Sequence, residues 1–77
     1  MNAQPAAAPV PPTTRELAAD ISRRHRGLLR ELWIEVGEAG AVLHGRAYSF
    51  YGKQLALHEV RRRGGVVVVA NRIAVDL

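Results

Sequence analysis

The side chains here that could move protons or hold a metal are three histidines and seven carboxylates, with no cysteine beside them. His25, His44 and His58 are spaced 19 and 14 apart, and none has a second histidine at i+3 or i+4, where a helix would put two imidazoles on one face. A zinc-type site needs three or four convergent donors, so no metal ligand is assigned. His58 beside Glu59 reads as an ordinary helix-surface pair, and His25 as a half-buried histidine at the margin of an apolar stripe. A Ser–His–acid set drawn from Ser22 or Ser49 has nothing to orient it. RRRGG at 61–65 lacks the spacing, the lysine and the following helix of a phosphate loop. The expectation is a protein with no catalytic residues, no cofactor and no metal. What remains is binding.

Binding surfaces need elements to hold them, and the chain marks these well. Residues 1–12, MNAQPAAAPVPP, contain all four prolines and no charge, and read as a disordered Ala/Pro-rich tail. They have neither the basic start nor the leucine-rich core of a secretory signal. No apolar run approaches the roughly 20 residues needed to cross a bilayer. The default expectation is a cytoplasmic protein, with peripheral envelope association as an extension. A folded domain then occupies 13–77. At this length it buries a small share of its surface and is marginally stable, so self-association or a partner would help.

Thr13 followed by Glu16 has the spacing of a capping box and opens a first helix. Leu17, Ile21, His25 and Leu28 share one face of it, and Gly27 marks its end. Residues 32–36, LWIEV, alternate with Leu32, Ile34 and Val36 on one side. Residues 41–47, AVLHGRA, set Ala41, Leu43 and Ala47 against Val42, His44 and Arg46. The intervening GEAG makes the two a hairpin. Ser49 is an N-cap for a second helix whose inward stripe is Leu55, Ala56 and Val60, with Tyr51 or Gly52 one turn earlier. Arg61, Arg62 and Arg63 meet the negative end of that helix, and Gly64 or Gly65 stops it. VVVVANRIAV at 66–75 is then one long strand, with Val69, Asn71, Ile73 and Val75 on one face and Val68, Ala70, Arg72 and Ala74 on the other. The fold expected is α+β, a two-layer sandwich of order α-β-β-α-β. Its three-stranded mixed sheet carries both helices on one face, because a crossover helix between parallel strands packs on that face.

This order and the residues at its joints resemble the BON domain, the bacterial osmotic-stress and nodulation module. The family pattern has a V-x-L-x-G-x-V strand, matched by Ala41, Leu43, Gly45 and Ala47. Its helix with an alanine-containing apolar stripe is matched at Lys53, Gln54, Leu55 and Ala56. A GV start and a V-x-N-x-I-x-V ending are matched at Gly65 and Val66 and at Val69, Asn71, Ile73 and Val75. The resemblance spans about residues 14–76. Alanines stand at 41 and 47 in place of the usual valines, Arg63 where an apolar residue is common, and Gly64 where proline is frequent. The resemblance implies binding of phospholipid surfaces or protein partners, and no chemistry.

Two surfaces follow. The open sheet face, with Trp33, Val42, His44, Arg46, Val68 and Arg72, is the candidate interface for a protein partner or a second copy of the chain. The basic helix end, Arg61, Arg62 and Arg63, with Tyr48, Phe50, Tyr51 and Lys53, is the candidate contact for anionic phospholipid. Three arginines near such a surface gain about 3 kcal/mol together, only millimolar binding, so avidity or the inserted aromatic groups are needed. Nucleic acid is the alternative. A net charge of +4 with Trp33, Tyr48 and Tyr51 would allow backbone contact and base stacking. Against it, the aromatics do not alternate with base-reading residues on one strand, and no GXXG clamp joins two helices.

Overall fold

The structure is a computed structural model describing residues 13–76. The expected tail, 1–12, and Leu77 lie outside the described residues. Helix α1 (Thr14–Arg24) opens with the capping box. Thr13 Oγ1 accepts from the Glu16 N–H at 3.1 Å, and Glu16 Oε1 accepts from the Thr13 N–H at 2.9 Å. Two N–H groups with no intrahelical partner are thereby satisfied. The helix stops at His25, before Gly27, and the His25 N–H reaches the Ile21 and Ser22 carbonyls. Residues 25–28 form a turn, so His25 and Leu28 leave the helical stripe. Leu17, Ala18 and Ile21 are buried.

Strand β1 (Leu29–Gly37) pairs antiparallel with β2 (Gly40–Ala47) through a tight turn at Glu38 and Ala39. It begins earlier than alternation suggested, because a bulge resets its parity. Between the pairs Arg30↔Arg46 and Trp33↔His44, Glu31 and Leu32 together oppose Gly45. Glu31 takes a φ of 59°, in the left-handed region. Leu29, Leu32 and Ile34 all reach the helix side as a result. Gly45 is required here: a Cβ would lie 2.9 Å from the Glu31 carbonyl oxygen and from Leu32 Cα, and its φ is 142°.

Helix α2 (Phe50–Gly64) is capped by Ser49, whose Oγ accepts from the Gly52 N–H at 3.1 Å, and ends at Gly65 with φ 64°. Its inward side is Gly52, Ala56, Glu59 and Val60. Of the two alternatives one turn ahead of the stripe, Gly52 points inward and Tyr51 is exposed, while Leu55 is half-buried. A Cβ on Gly52 would sit 2.8 Å from the Leu28 carbonyl oxygen, so only glycine lets α2 lie on the 25–28 turn.

The last strand is broken in two. Strands β3 (Val68–Asn71) and β4 (Ala74–Val75) both run parallel to β2, giving a mixed sheet of four strands instead of three. At the break the Arg72 N–H bonds the Leu43 carbonyl at 2.8 Å and Ile73 buries its side chain. Asn71 closes the gap: its Oδ1 accepts from the Ile73 N–H at 3.3 Å, and its Nδ2 donates to the Lys53 carbonyl at 3.2 Å. A register shift between Ala41↔Val68 and Val42↔Ala70 corrects the expected faces. Val68 turns inward against the core, and Val69 is exposed.

Both helices cover one face of the sheet, in the order α-β-β-α-β. Ile21, Leu43, Val60 and Ile73 are fully buried between the layers, each stabilising the fold by about 1.5–3 kcal/mol through lost apolar surface. Ala41, Ala47 and Ala56 are fully buried as well, so small residues line part of the contact between the layers. Among the described residues, no helix is long and apolar enough to cross a membrane.

Candidate docking surface

On the face away from the helices, the cross-strand pair Trp33↔His44 stacks, with ring centroids 4.1 Å apart and planes within 13°. His44 Nε2 lies 2.9 Å from Glu35 Oε1, and the tautomer that carries its proton on Nε2 donates to the carboxylate. Arg46 donates from Nη1 to both Asp76 oxygens at 2.9 and 3.1 Å, and its Nε lies 3.9 Å from Glu31. Trp33 keeps 53% of its surface in solvent. The face is thus an aromatic pair bordered by acids and bases in nearly equal number. Alternation along β1 and β2 makes it: each residue after an inward one points out. Five of the six expected interface residues fit this surface, Trp33, Val42, His44, Arg46 and Arg72, with Arg72 exposed at the strand break. Val68 does not belong to it. Its Cα partner is the buried Ala41, and the register shift carries it to the core side.

The second expected surface is not assembled as anticipated. Tyr48, Phe50 and Tyr51 are exposed at the N-terminal end of α2, whereas Arg61, Arg62 and Arg63 occupy its last turn. Fourteen steps of helix, about 21 Å at 1.5 Å each, separate the ends. Two of the three arginines are also engaged. Arg62 donates to both Glu59 oxygens at 3.0 and 3.1 Å. Arg63 pairs with Asp20 of α1 and approaches Glu59 at 3.6 Å, its side chain only 23% exposed between the helices. Among the described residues, Arg61 alone of the three has no ion-pair partner. The physical reason is Glu59. It follows Gly52 and Ala56 on the inward stripe, is buried, and draws the neighbouring arginines onto itself. It is not the surface partner of His58 that the sequence suggests; its i+3 spacing from Ala56 is the signal that could have placed it inward.

The charge of this seam follows from its contacts. The Arg63 hydrogen bond, outweighing partial burial and helped by Arg24 and Arg23, holds the Asp20 carboxyl below its usual range. Burial pushes Glu59 up, but Arg62, Arg63 and His25 together outweigh it and leave its pKa lowered. The Asp20 contact raises the Arg63 pKa despite partial burial. Arg63 Nη1 is buried without a hydrogen-bond partner.

At the other end of α2, the Tyr48 N–H bonds the Leu28 carbonyl at 3.1 Å, joining the aromatic segment to the 25–28 turn. Arg30 lies close to Tyr48, which raises the guanidinium pKa. Arg30, which no local pattern marked, is thus a cation beside the aromatic segment. Lys53 is half-buried one turn into the helix.

The three histidines stay apart: His25 caps α1, His44 lies on the outer face, and His58 is exposed on α2. Among the described residues, no group of three or more His, Asp or Glu side chains converges as metal ligands would. Comparison of the chain with protein-family models, with curated proteins and with solved structures gave no match.

Proposed function

We propose that this chain is a non-enzymatic docking module of the BON type that engages a protein partner through its outer sheet face. The observation that carries this is Trp33, a half-exposed indole stacked on His44 at the centre of a face that neither helix covers. Tryptophan and arginine are the side chains most often found dominating protein contacts. The mixed charge favours protein over nucleic acid. Glu31, Glu35 and Asp76 would repel phosphates as strongly as Arg30, Arg46 and Arg72 attract them, whereas a protein surface can match both signs. The BON reading is supported by two of the residues on which the resemblance rests, Gly45 opposite the bulge and Asn71 at the strand break. The compartment proposed is the cytoplasm.

A photo-crosslinker placed at Glu35 or Arg72 should give one defined protein adduct in the host, lost when Trp33 is changed to Ala. The same probe at His58, on the helix side, should give none. Equal labelling at His58, or micromolar single-stranded oligonucleotide binding with a steep salt slope, would overturn the reading.

A second reading rests on a separate observation, the exposed Tyr48, Phe50 and Tyr51 beside Arg30. Here an anionic phospholipid surface is met by this aromatic end and not by the arginine end. Vesicle binding that falls with Phe50→Ser and Tyr51→Ser, and ignores Arg62→Gln, supports it; the reverse pattern excludes it.

A further inference from the structure

Beyond its outer face, the sheet presents the free edge of β1. That strand is nine residues long and, among the described residues, pairs with β2 along one side only. Over residues 33–36 it carries no proline, lysine or bulge, which are among the devices that stop an edge from recruiting another strand. An open groove of about 420 Å³ runs between this edge and α1, lined by Leu32, Trp33 and Ile34 of the strand and by Thr14, Arg15, Ala18 and Ala19 of the helix. The alanines are what leave it unfilled. Val36, on the helix-side row with Leu32 and Ile34, is nevertheless 56% exposed. An empty groove and an uncovered valine lie on one strand, two residues either side of Ile34.

We propose that a second copy of this chain docks here, β1 against β1, antiparallel about a twofold axis through Ile34. Directly opposed residues in an antiparallel pair share a face, so the axis must pass through a residue for the two helix-side rows to meet. Trp33, Ile34 and Glu35 are the central residues at which it could lie. An axis at Trp33 opposes Glu35 to Glu31 of the second copy, and an axis at Glu35 opposes that carboxylate to itself; both are like-charge contacts. At Ile34 neither occurs. Trp33 then faces Glu35 of the second copy, and Leu32 faces its Val36, which enters the groove beside Ala18 and Ala19. The acidic turn at Glu38 comes to the Arg30 end of the other chain. The patch is self-complementary, which a twofold contact requires. The inference goes beyond the outer-face reading: it uses a different border of the sheet and leaves each Trp33–His44 stack in place.

Sedimentation of the full chain from about 1 µM to about 1 mM tests it. The expected result is a monomer–dimer equilibrium in that range. Val36→Lys should raise the dissociation constant at least about tenfold with unchanged far-UV circular dichroism, since the side chain is exposed in the single chain. With no native cysteine, register can be read by disulfide trapping. A Trp33→Cys chain mixed with a Glu35→Cys chain should form the mixed disulfide, because opposed Cβ atoms lie about 4.5–5.5 Å apart against about 7–8 Å on the diagonal. A chain that stays single throughout overturns the proposal. So does a dimer indifferent to Val36→Lys, or trapping in which the Trp33→Cys chain links to its own kind in preference to the Glu35→Cys chain.

Discussion

The two sides of the sheet use ion pairs in opposite ways. On the helix side, Arg63 links α1 to α2 through Asp20 and Glu59, with side chains only 11–23% exposed. On the outer side, Arg46 meets Asp76 and His44 meets Glu35, with exposures from 24 to 59%. The inner cluster joins residues 43 apart in sequence. The outer pairs lie among solvated side chains, where each contributes little to stability. Charge on the helix side is therefore structural, and charge on the outer side is available for recognition.

The largest test of this contrast uses two chain neighbours that face opposite ways. Leu43→Ala should cost about 2–5 kcal/mol by denaturant unfolding, because its side chain is fully buried. Val42→Ala, half-buried on the outer face, should cost about 1 kcal/mol or less. Equal losses would mean that the outer face is covered.

Glycines give the next contrast. Gly45→Ala forces a Cβ against β1 backbone at positive φ and should destabilise by more than about 1 kcal/mol. Gly27→Ala meets nothing within 4 Å and should be neutral, or stabilising by up to about 1 kcal/mol.

Acid titration separates the two charge systems. Asp20 and Glu59 titrate below their ordinary values of 3.8 and 4.5 in the folded chain. A lowered carboxylate pKa adds stability that is complete above the unfolded value and disappears as pH falls through the folded one. The wild-type melting temperature should therefore fall as pH drops from about 5 to about 2. Arg63→Gln should lower the neutral-pH melting point and flatten that acid limb. Arg46→Gln should shift the neutral-pH midpoint less. The smallest effect belongs to Glu31→Gly, which relieves a left-handed backbone and should change stability by less than about 1 kcal/mol.

Local chemistry was legible in the sequence, and long-range registration was not. The Thr13–Glu16 cap, the Ser49 cap and the hairpin turn are each set within four residues, and all three stand as expected. The faces of the last strand depended on pairing with β2. One register shift there turned Val68 inward, and no residue type announces it. The bulge at Glu31 was hidden because its left-handed residue is not a glycine; only the partner, Gly45, carried a mark. Arg63 could be placed at a helix end, but its acids at positions 20 and 59 come from two helices brought together by folding. Trp33 and His44 were readable because strand alternation alone puts them outward, although their stacking depends on the bulge-set register.

The interrupted final strand has a consequence for how far this molecule can polymerise. Its two short pieces, parted at Arg72 and Ile73, leave the β3–β4 flank without a continuous row of backbone partners. A newcomer could lengthen the layer only from the opposite flank, and once two chains have used that flank on each other, none remains to recruit a third. The same broken strand that holds Asn71 under the second helix would thus cap growth at a closed pair and guard against fibres.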